Sequence, residues 1–331
     1  MSEPSSPLRV YYLSSGRLGR PVLETLLDDR RINLLGIGSQ PDKRGGRNKL
    51  LIPTPVSELA RARGRDVDQV VRLRTDEELI ARLQALDLDF LIVASFGQIL
   101  PQRVLDIPRH GCFNVHASLL PLHRGASPIA QAILDGCHQT GVSFMRMDKG
   151  CDTGPVYRQL PVDIAPDDTT PSLEDKLAQR AADAIVDTLL DVAAGRLAAV
   201  PQDSDRSTYA SKIAKADGAI DWNLPADVIE RRIRAYTPWP TVYMAAPSPD
   251  GKTSKRLQLI QAEAIDSPSP NAVPGTFLSQ DRQGIVIACA EGALRLKRVV
   301  PEGRKAMAIN DFLRGNPLPA GTIFSNYPVE A

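Results

Sequence analysis

Short apolar runs alternate with amphipathic stretches through the first half of the chain. Leu8–Leu13 (LRVYYL) and Ile32–Gly38 (INLLGIG) are short and almost wholly apolar, which predicts strands buried on both faces. Pro21–Leu27 between them places a proline in the first turn of a helix, where its missing N–H costs nothing. Thr54-Pro55 opens a second helix reaching Arg63, with threonine as N-cap and proline at the first helical position. Thr75–Leu86 has helical periodicity, and Phe90–Ala94 (FLIVA) is a further buried strand. Cys112–His116 and Val142–Met147 also read as strands, with a helix at Ser127–Leu134 between them. This β-α-β order predicts a parallel sheet covered by helices.

A long helix from Thr170 to about Gly195, rich in Ala, Leu and Asp, closes that region, and Ala198–Thr208 is a polar connection. The pattern then changes to short strands between Pro and Gly turns, at Leu257–Ile260, Gly275–Leu278, Gly284–Ala288 and Ala293–Val299. That spacing predicts a small β-barrel. A length of 331 residues exceeds the usual size of one core, so two domains are expected: 1–197, a linker 198–208, and 209–331.

Composition narrows the class. The chain is 43% hydrophobic and 24% charged, ordinary for a globular protein, and no apolar run is long enough to span a membrane. Met1-Ser-Glu-Pro-Ser-Ser-Pro lacks the basic-then-apolar order of a secretory signal. Cys112, Cys137, Cys151 and Cys289 show no paired spacing, so reduced thiols and a cytoplasmic location are expected. A net charge of +1 argues against an indiscriminate nucleic-acid binder. Two local basic clusters remain: Lys43, Arg44, Arg47 and Lys49 within a loop at 40–53, and Arg231, Arg232 and Arg234 in a helical stretch.

All four histidines fall between positions 110 and 138. Alternation along Cys112-Phe-Asn114-Val-His116 puts three polar or polarisable side chains on one face of a strand, with Phe113 and Val115 on the other. Ligands of open α/β sheets bind beyond the carboxyl ends of the strands, where this one ends at His116. An isolated N-x-H is equally a pair of residues bonded to neighbouring loops. Cys112, His116 and His123 are capable metal ligands, yet their spacing matches no common zinc pattern, so no metal is expected.

Two further blocks lift the strand above that background. Ser118-Leu119-Leu120-Pro121 leads into Arg124-Gly125 and Pro128, and Asp148-Lys-Gly150-Cys-Asp152-Thr153-Gly154 follows the next strand. In this order and separation the three blocks resemble the folate-dependent formyltransferase family, whose members share an N-x-H strand, an SLLPxxRGxxP loop and a DxGxDTG loop. The likeness is strongest to members acting on methionyl-tRNA. It takes in Gln40-Pro41-Asp42, Gly46-Arg47, Lys49 and Pro53–Val56, then Thr208–Ile213, Ile220-Asp221-Trp222, Ile233–Ala235, Pro238-Trp239-Pro240 and Pro274-Gly275-Thr276, roughly residues 8 to 315.

The resemblance implies a Rossmann-like catalytic domain at 1–197 and an OB-like barrel at 209–331 that binds tRNA. It implies transfer of the formyl group of 10-formyltetrahydrofolate to the α-amine of initiator methionyl-tRNA for translation initiation, by a monomer without a metal. Asn114, His116 and Asp152 are the implied catalytic residues; Ser118, Leu119, Leu120 and Pro121 line the folate site; Lys43, Arg47 and Lys49 contact tRNA. The chemistry makes these roles intelligible. An amine is already a nucleophile, so the reaction needs an oxyanion donor, met by Asn114, and proton carriers, met by His116 with Asp152 to orient it. Arg124 either meets an anionic group or ties down its loop.

Three positions depart from the family pattern. Ser14–Gly19 replaces a GTPxFA-like turn, Leu122-His123 replaces a basic-aromatic pair, and Cys151 replaces a leucine. Other readings are a formyltransferase for an amino sugar nucleotide, a formyltetrahydrofolate hydrolase-like enzyme, and a non-catalytic RNA-binding relative. Gly16-x-x-Gly19 is a fragment of a dinucleotide fingerprint and lacks the full GxGxxG.

Overall fold

The first apolar run forms strand β1 (Leu8–Ser14), buried at all but one position because strands flank it on both sides. A computed structural model describes residues 6–45, 50–247 and 254–325. The chain divides into two units, Met1–Ile129 with His138–Ile164 and Ser172–Ser211, and Ala130–Cys137 with Ala165–Pro171 and Lys212–Ala331.

In the first unit α1 (Gly19–Asp28) leads to β2 (Ile32–Ser39), followed by a hairpin of β3 (Lys43–Gly45) and β4 (Leu50–Ile52). Helix α2 (Pro55–Ala62) is capped as expected, the Thr54 Oγ1 accepting from the Ser57 amide at 3.0 Å. After the short β5 (Asp68–Gln69), α3 (Glu77–Ala85) starts later than its periodicity suggests, because the Asp76 carboxylate accepts from the Leu79 amide at 3.0 Å and fixes the start. Then come β6 (Phe90–Ala94), α4 (Gln102–Leu105), β7 (Cys112–His116), β8 (Arg124–Gly125), α5 (Pro128–Leu134, which belongs to the second unit from Ala130 on), β9 (Gln139–Arg146), β10 (Val156–Asp163), α6 (Thr170–Ala193) and β11 (Tyr209–Ala210).

The seven-stranded sheet runs β10-β9-β7-β6-β1-β2-β5. Its centre is parallel, from β7 through β5. The expected parallel sheet is extended at the other edge by two antiparallel strands, β9 against β7 and β10 against β9. The loop between β9 and β10 carries no helix, and a short loop can only return the chain antiparallel. From β1 the chain builds outward to β2 on one side and returns through β6 on the other, so the switch point lies between β1 and β6. Beneath β7, Phe113 packs on Phe90, Phe144 and Tyr157 with ring centroids 6.1, 5.4 and 5.7 Å away. Those rings hold one face of β7 so that the other can carry polar groups.

The second unit has α7 (Ala226–Ala235) and strands β12 (Val242–Pro247), β13 (Ser254–Ile265), β14 (Phe277–Asp281), β15 (Gly284–Ala288), β16 (Ala293–Pro301) and β17 (Met307–Ala308), ending in α8 (Ile309–Gly315). Its antiparallel sheet runs β12-β13-β16-β15-β14, with β17 on β16. Ser325 bridges Ala245 of β12 and Ile323 bridges Thr276 beside β14, so one short segment joins both edges of the sheet. Strand β12 and helix α8 are elements that the periodicity leaves unassigned; both are short, and α8 is partly polar.

Candidate active site

Strand β7 delivers its polar face to the switch-point edge. Cys112, at its start, is sealed in the core with its thiol 3.6 Å from the Val104 carbonyl, and burial pushes that thiol far above its usual range. Asn114 and His116, further along the face, are 9% and 6% exposed.

Asp152 reaches them from the loop joining β9 to β10. Asp148 shapes that loop, accepting from the Gly150 amide at 2.9 Å and the Thr153 hydroxyl at 2.7 Å. A Cβ at Gly154 would lie 1.9 Å from the Arg146 carbonyl, so the loop closes against β9 only with glycine there. Asp152 itself is left-handed, with φ +56°, which aims its carboxylate inward. Its Oδ1 lies 3.3 Å from Asn114 Nδ2 and 3.6 Å from His116 Nδ1, while Oδ2 accepts from the Gly125 amide at 2.9 Å. The other imidazole nitrogen, Nε2, is 3.1 Å from the His123 carbonyl. A carbonyl has no proton to give, so Nε2 carries one and Nδ1, facing Asp152, is the nitrogen free to gain or lose one.

The Ser118–Pro121 segment is a rigid wall beside these groups. Ser118 and Leu120 are buried and only Leu119 and Pro121 keep partial side-chain exposure. Ser143 Oγ donates to the Ser118 carbonyl at 2.7 Å and accepts from the Leu120 amide at 3.0 Å, and Gln159 donates to the Leu120 carbonyl at 2.6 Å. Arg124 is 2% exposed and bonds Gln202 Oε1 through Nε and Nη2 at 3.0 and 2.8 Å, so it ties down its loop. Gln202 in turn donates to the carbonyls of Asp152 and Gly154 at 2.8 and 2.7 Å. Nothing in the periodicity or motifs of the polar connection singles out Gln202.

The Ser14–Gly19 turn sits at the carboxyl end of β1. The amides of Ser15 and Gly16 donate to the Ser95 carbonyl at 3.3 and 3.2 Å, and Leu18 N–H donates to Glu174 Oε1 at 3.1 Å. A Cβ at Gly19 would lie 1.8 Å from Ser14 Oγ, so this glycine serves close packing. Of the basic cluster, Lys43 and Arg44 are exposed on the β3–β4 hairpin, whose second strand exposes Leu50, Leu51 and Ile52; Arg47 and Lys49 lie outside the described residues. The second cluster is engaged internally. Arg231 pairs with Asp227 at 2.7 Å, Arg232 donates to the Asp217 carbonyl at 2.7 Å, and Arg234 pairs with Glu230 at 2.7 Å. Among the described residues no cluster of three or more His, Cys, Asp or Glu side chains could hold a metal.

Family models agree with this architecture. The formyl transferase model matches residues 12–189, and that for the formyl transferase C-terminal domain matches 212–317. The chain belongs to the formyltransferase family. Among curated formyltransferases it is similar to the methionyl-tRNA formyltransferase of Aromatoleum aromaticum, 40% identical over 97% of this chain and 98% of that one. The methionyl-tRNA formyltransferase of Burkholderia pseudomallei is 44% identical over 87% of this chain and 88% of its own. Among solved structures the formyltransferase fold is shared with HypX from Aquifex aeolicus in complex with tetrahydrofolic acid, at TM-score 0.59 and 16% identity. That match covers 98% of this chain but 51% of HypX, so the chain spans about half of HypX.

Proposed function

We infer that this chain transfers the formyl group of 10-formyltetrahydrofolate to the α-amine of methionyl-tRNA. The observation that carries the reading is the end-to-end likeness to methionyl-tRNA formyltransferases in a chain that brings Asn114, His116 and Asp152 together. An amino sugar nucleotide as acceptor has no comparable support. The reading includes a cytoplasmic monomer, for which four free cysteines and the absence, among the described residues, of a helix able to cross a membrane are compatible observations.

The site's groups divide the work as follows. The neutral amine attacks the formyl carbon, forming a C–N bond and an oxyanion. One amide hydrogen of Asn114 points to Asp152 and the other is available to that oxyanion, a contact worth about 2.7–4 kcal/mol in comparable sites. The amine's surplus proton passes to the Asp152–His116 Nδ1 pair. The same pair returns a proton to N10 of the folate as the C–N10 bond breaks, leaving formylated amine and tetrahydrofolate. Burial of Asn114 and His116 keeps bulk water from competing for the formyl group. Leu119 and Pro121 offer apolar surface to the folate, and the bonded Ser118–Pro121 backbone keeps that surface fixed.

Lys43, with Arg47 and Lys49, contacts phosphates of the tRNA acceptor end, supported by the exposure of Lys43 on a hairpin after β2. Residues 1–197 are the catalytic domain, 198–208 the linker, and 209–331, with the antiparallel sheet, add tRNA contacts. The test offers the protein formyl-labelled cosubstrate with charged initiator tRNA and, separately, an amino sugar nucleotide. Label in the tRNA is expected; label in the sugar alone overturns the acceptor while leaving formyl transfer in place.

A further inference from the structure

We propose that Gln202 is a positioning residue for formyl transfer, fixing the Asp152 backbone and so the reach of its carboxylate to Asn114 and His116. This rests on the reading of Asp152 given above. The polar connection after α6 does not simply span open space. Val200 exchanges both backbone hydrogen bonds with Val156 at 2.8 Å, which brings Gln202 over the end of the β9–β10 loop. There its amide uses both ends. The nitrogen donates to the carbonyls of Asp152 and Gly154, and the oxygen accepts twice from the buried Arg124 guanidinium. One side chain thereby joins the residues immediately after the SLLP segment to the backbone of the left-handed Asp152.

The same connection holds the other partner of the site. The Thr208 carbonyl accepts from the Arg124 amide at 2.9 Å, and Thr208 Oγ1 accepts from the His123 amide at 2.8 Å. His123 has φ +55° and its carbonyl accepts from His116 Nε2. Both active side chains therefore take their orientation from loops clamped by residues 202–208. Asp152 has long contacts to Asn114 and His116, 3.3 and 3.6 Å, which do not by themselves hold it. What holds it is the Gly125 amide on its carboxylate and Gln202 on its backbone.

A glutamine is suited to this place. Its amide is at once acceptor for a cation and donor to two carbonyls; glutamate keeps the first and loses the second, and methionine loses both at similar volume. The experiment compares Gln202→Glu, Gln202→Met and Asp152→Asn in the full chain, measuring kcat, KM for each substrate and thermal unfolding. Both Gln202 variants are expected to lose about 10- to 100-fold in kcat, since a displacement near 1 Å of a reacting group has that scale, with either KM changed less than about twofold. Gln202→Glu, which keeps the arginine's partner, carries the test should Gln202→Met fail to fold. Folded Gln202→Glu with kcat near the parent, beside an inactive Asp152→Asn, overturns the positioning role and leaves the catalytic reading standing. An active Asp152→Asn overturns the catalytic reading itself.

Discussion

Two carboxylates of the first unit look alike in outline and differ in the slack of their contacts. Asp68, on edge strand β5, accepts from the Tyr11 hydroxyl and from Arg82 Nη2, the latter at 2.5 Å. Burial first, and then the bond to Asp68, push the Tyr11 phenol far above its usual range, so it stays a donor. The Tyr11 hydroxyl and Arg82 Nη2 both meet the same oxygen, Asp68 Oδ2, in short contacts. Asp152 keeps one short contact, to the Gly125 amide, and faces Asn114 and His116 at 3.3 and 3.6 Å. The first network turns its short bonds on its own members. The second leaves an amide hydrogen and an imidazole nitrogen with capacity for a substrate, at the edge where the strand order reverses. The length of the contacts separates the two: the bonds around Asp68 are short, whereas Asp152 faces Asn114 and His116 at 3.3 and 3.6 Å.

The sharpest way to break that comparison is to neutralise each carboxylate. Asp152→Asn is expected to lower kcat at least about 100-fold with little change in unfolding temperature, because proton transfer is lost while the shape remains. Asp68→Asn is expected to keep kcat within about twofold and to lose about 1–2 kcal/mol of stability, a figure held down by the half-exposed Arg82. Steady-state kinetics and urea melts on both variants decide it; an Asp68→Asn protein that is stable and inactive reverses the assignment.

A smaller effect separates exposed from engaged cations. Lys43→Ala and Arg47→Ala should each raise KM for tRNA several-fold at low salt, on the order of one phosphate contact, and the difference should shrink in high salt. KM for the folate should stay put. Arg234→Ala should instead lower stability, since Arg234 is paired with Glu230 and donates to the Asp168 carbonyl at 2.9 Å. Equal KM for tRNA in parent and Lys43→Ala at low salt counts against the hairpin.

How much of this was legible in the sequence follows from which forces leave a local trace. Strands β1, β2, β6 and β7 are short apolar runs, and the Thr54 cap is a local signature, so both could be read directly. Asn114, His116 and Asp152 were visible because three motif blocks carry them in fixed order. Strand β10 was not: its burial alternates irregularly and it contains Pro161 and Asp163, as an edge strand tolerates. The antiparallel pairing of β10 with β9 depended on the absence of a helix between them, a negative signal. Gln202 and Thr208 act through chain separations of 50 and 85 residues, to Asp152 and His123, and such contacts have no local pattern. Arg231, Arg232 and Arg234 looked like a basic patch because sequence shows charge without showing its partners.

The finest test concerns the unusual Ser14–Gly19 turn and the group that anchors it. Glu174, near the start of α6, accepts from the Leu18 amide at 3.1 Å and is half-buried. Burial raises its carboxyl above the ordinary value; the Leu18 amide and Arg17 oppose the shift without cancelling it. A carboxyl whose folded pKa lies above its unfolded one, about 4.3, binds more protons folded than unfolded between the two values. Stability then falls as pH rises through that window, and the whole penalty is present at neutral pH. Glu174→Gln keeps an acceptor for the Leu18 amide and has no charge to desolvate. The variant should therefore match the parent below about pH 4 and exceed it in unfolding temperature near about pH 7.5, by a margin worth less than about 1 kcal/mol. Thermal melts across that range supply the measurement. A variant less stable than the parent at neutral pH, with the gap closing on acidification, means that the amide and Arg17 outweigh burial and that the turn is held by the charge itself.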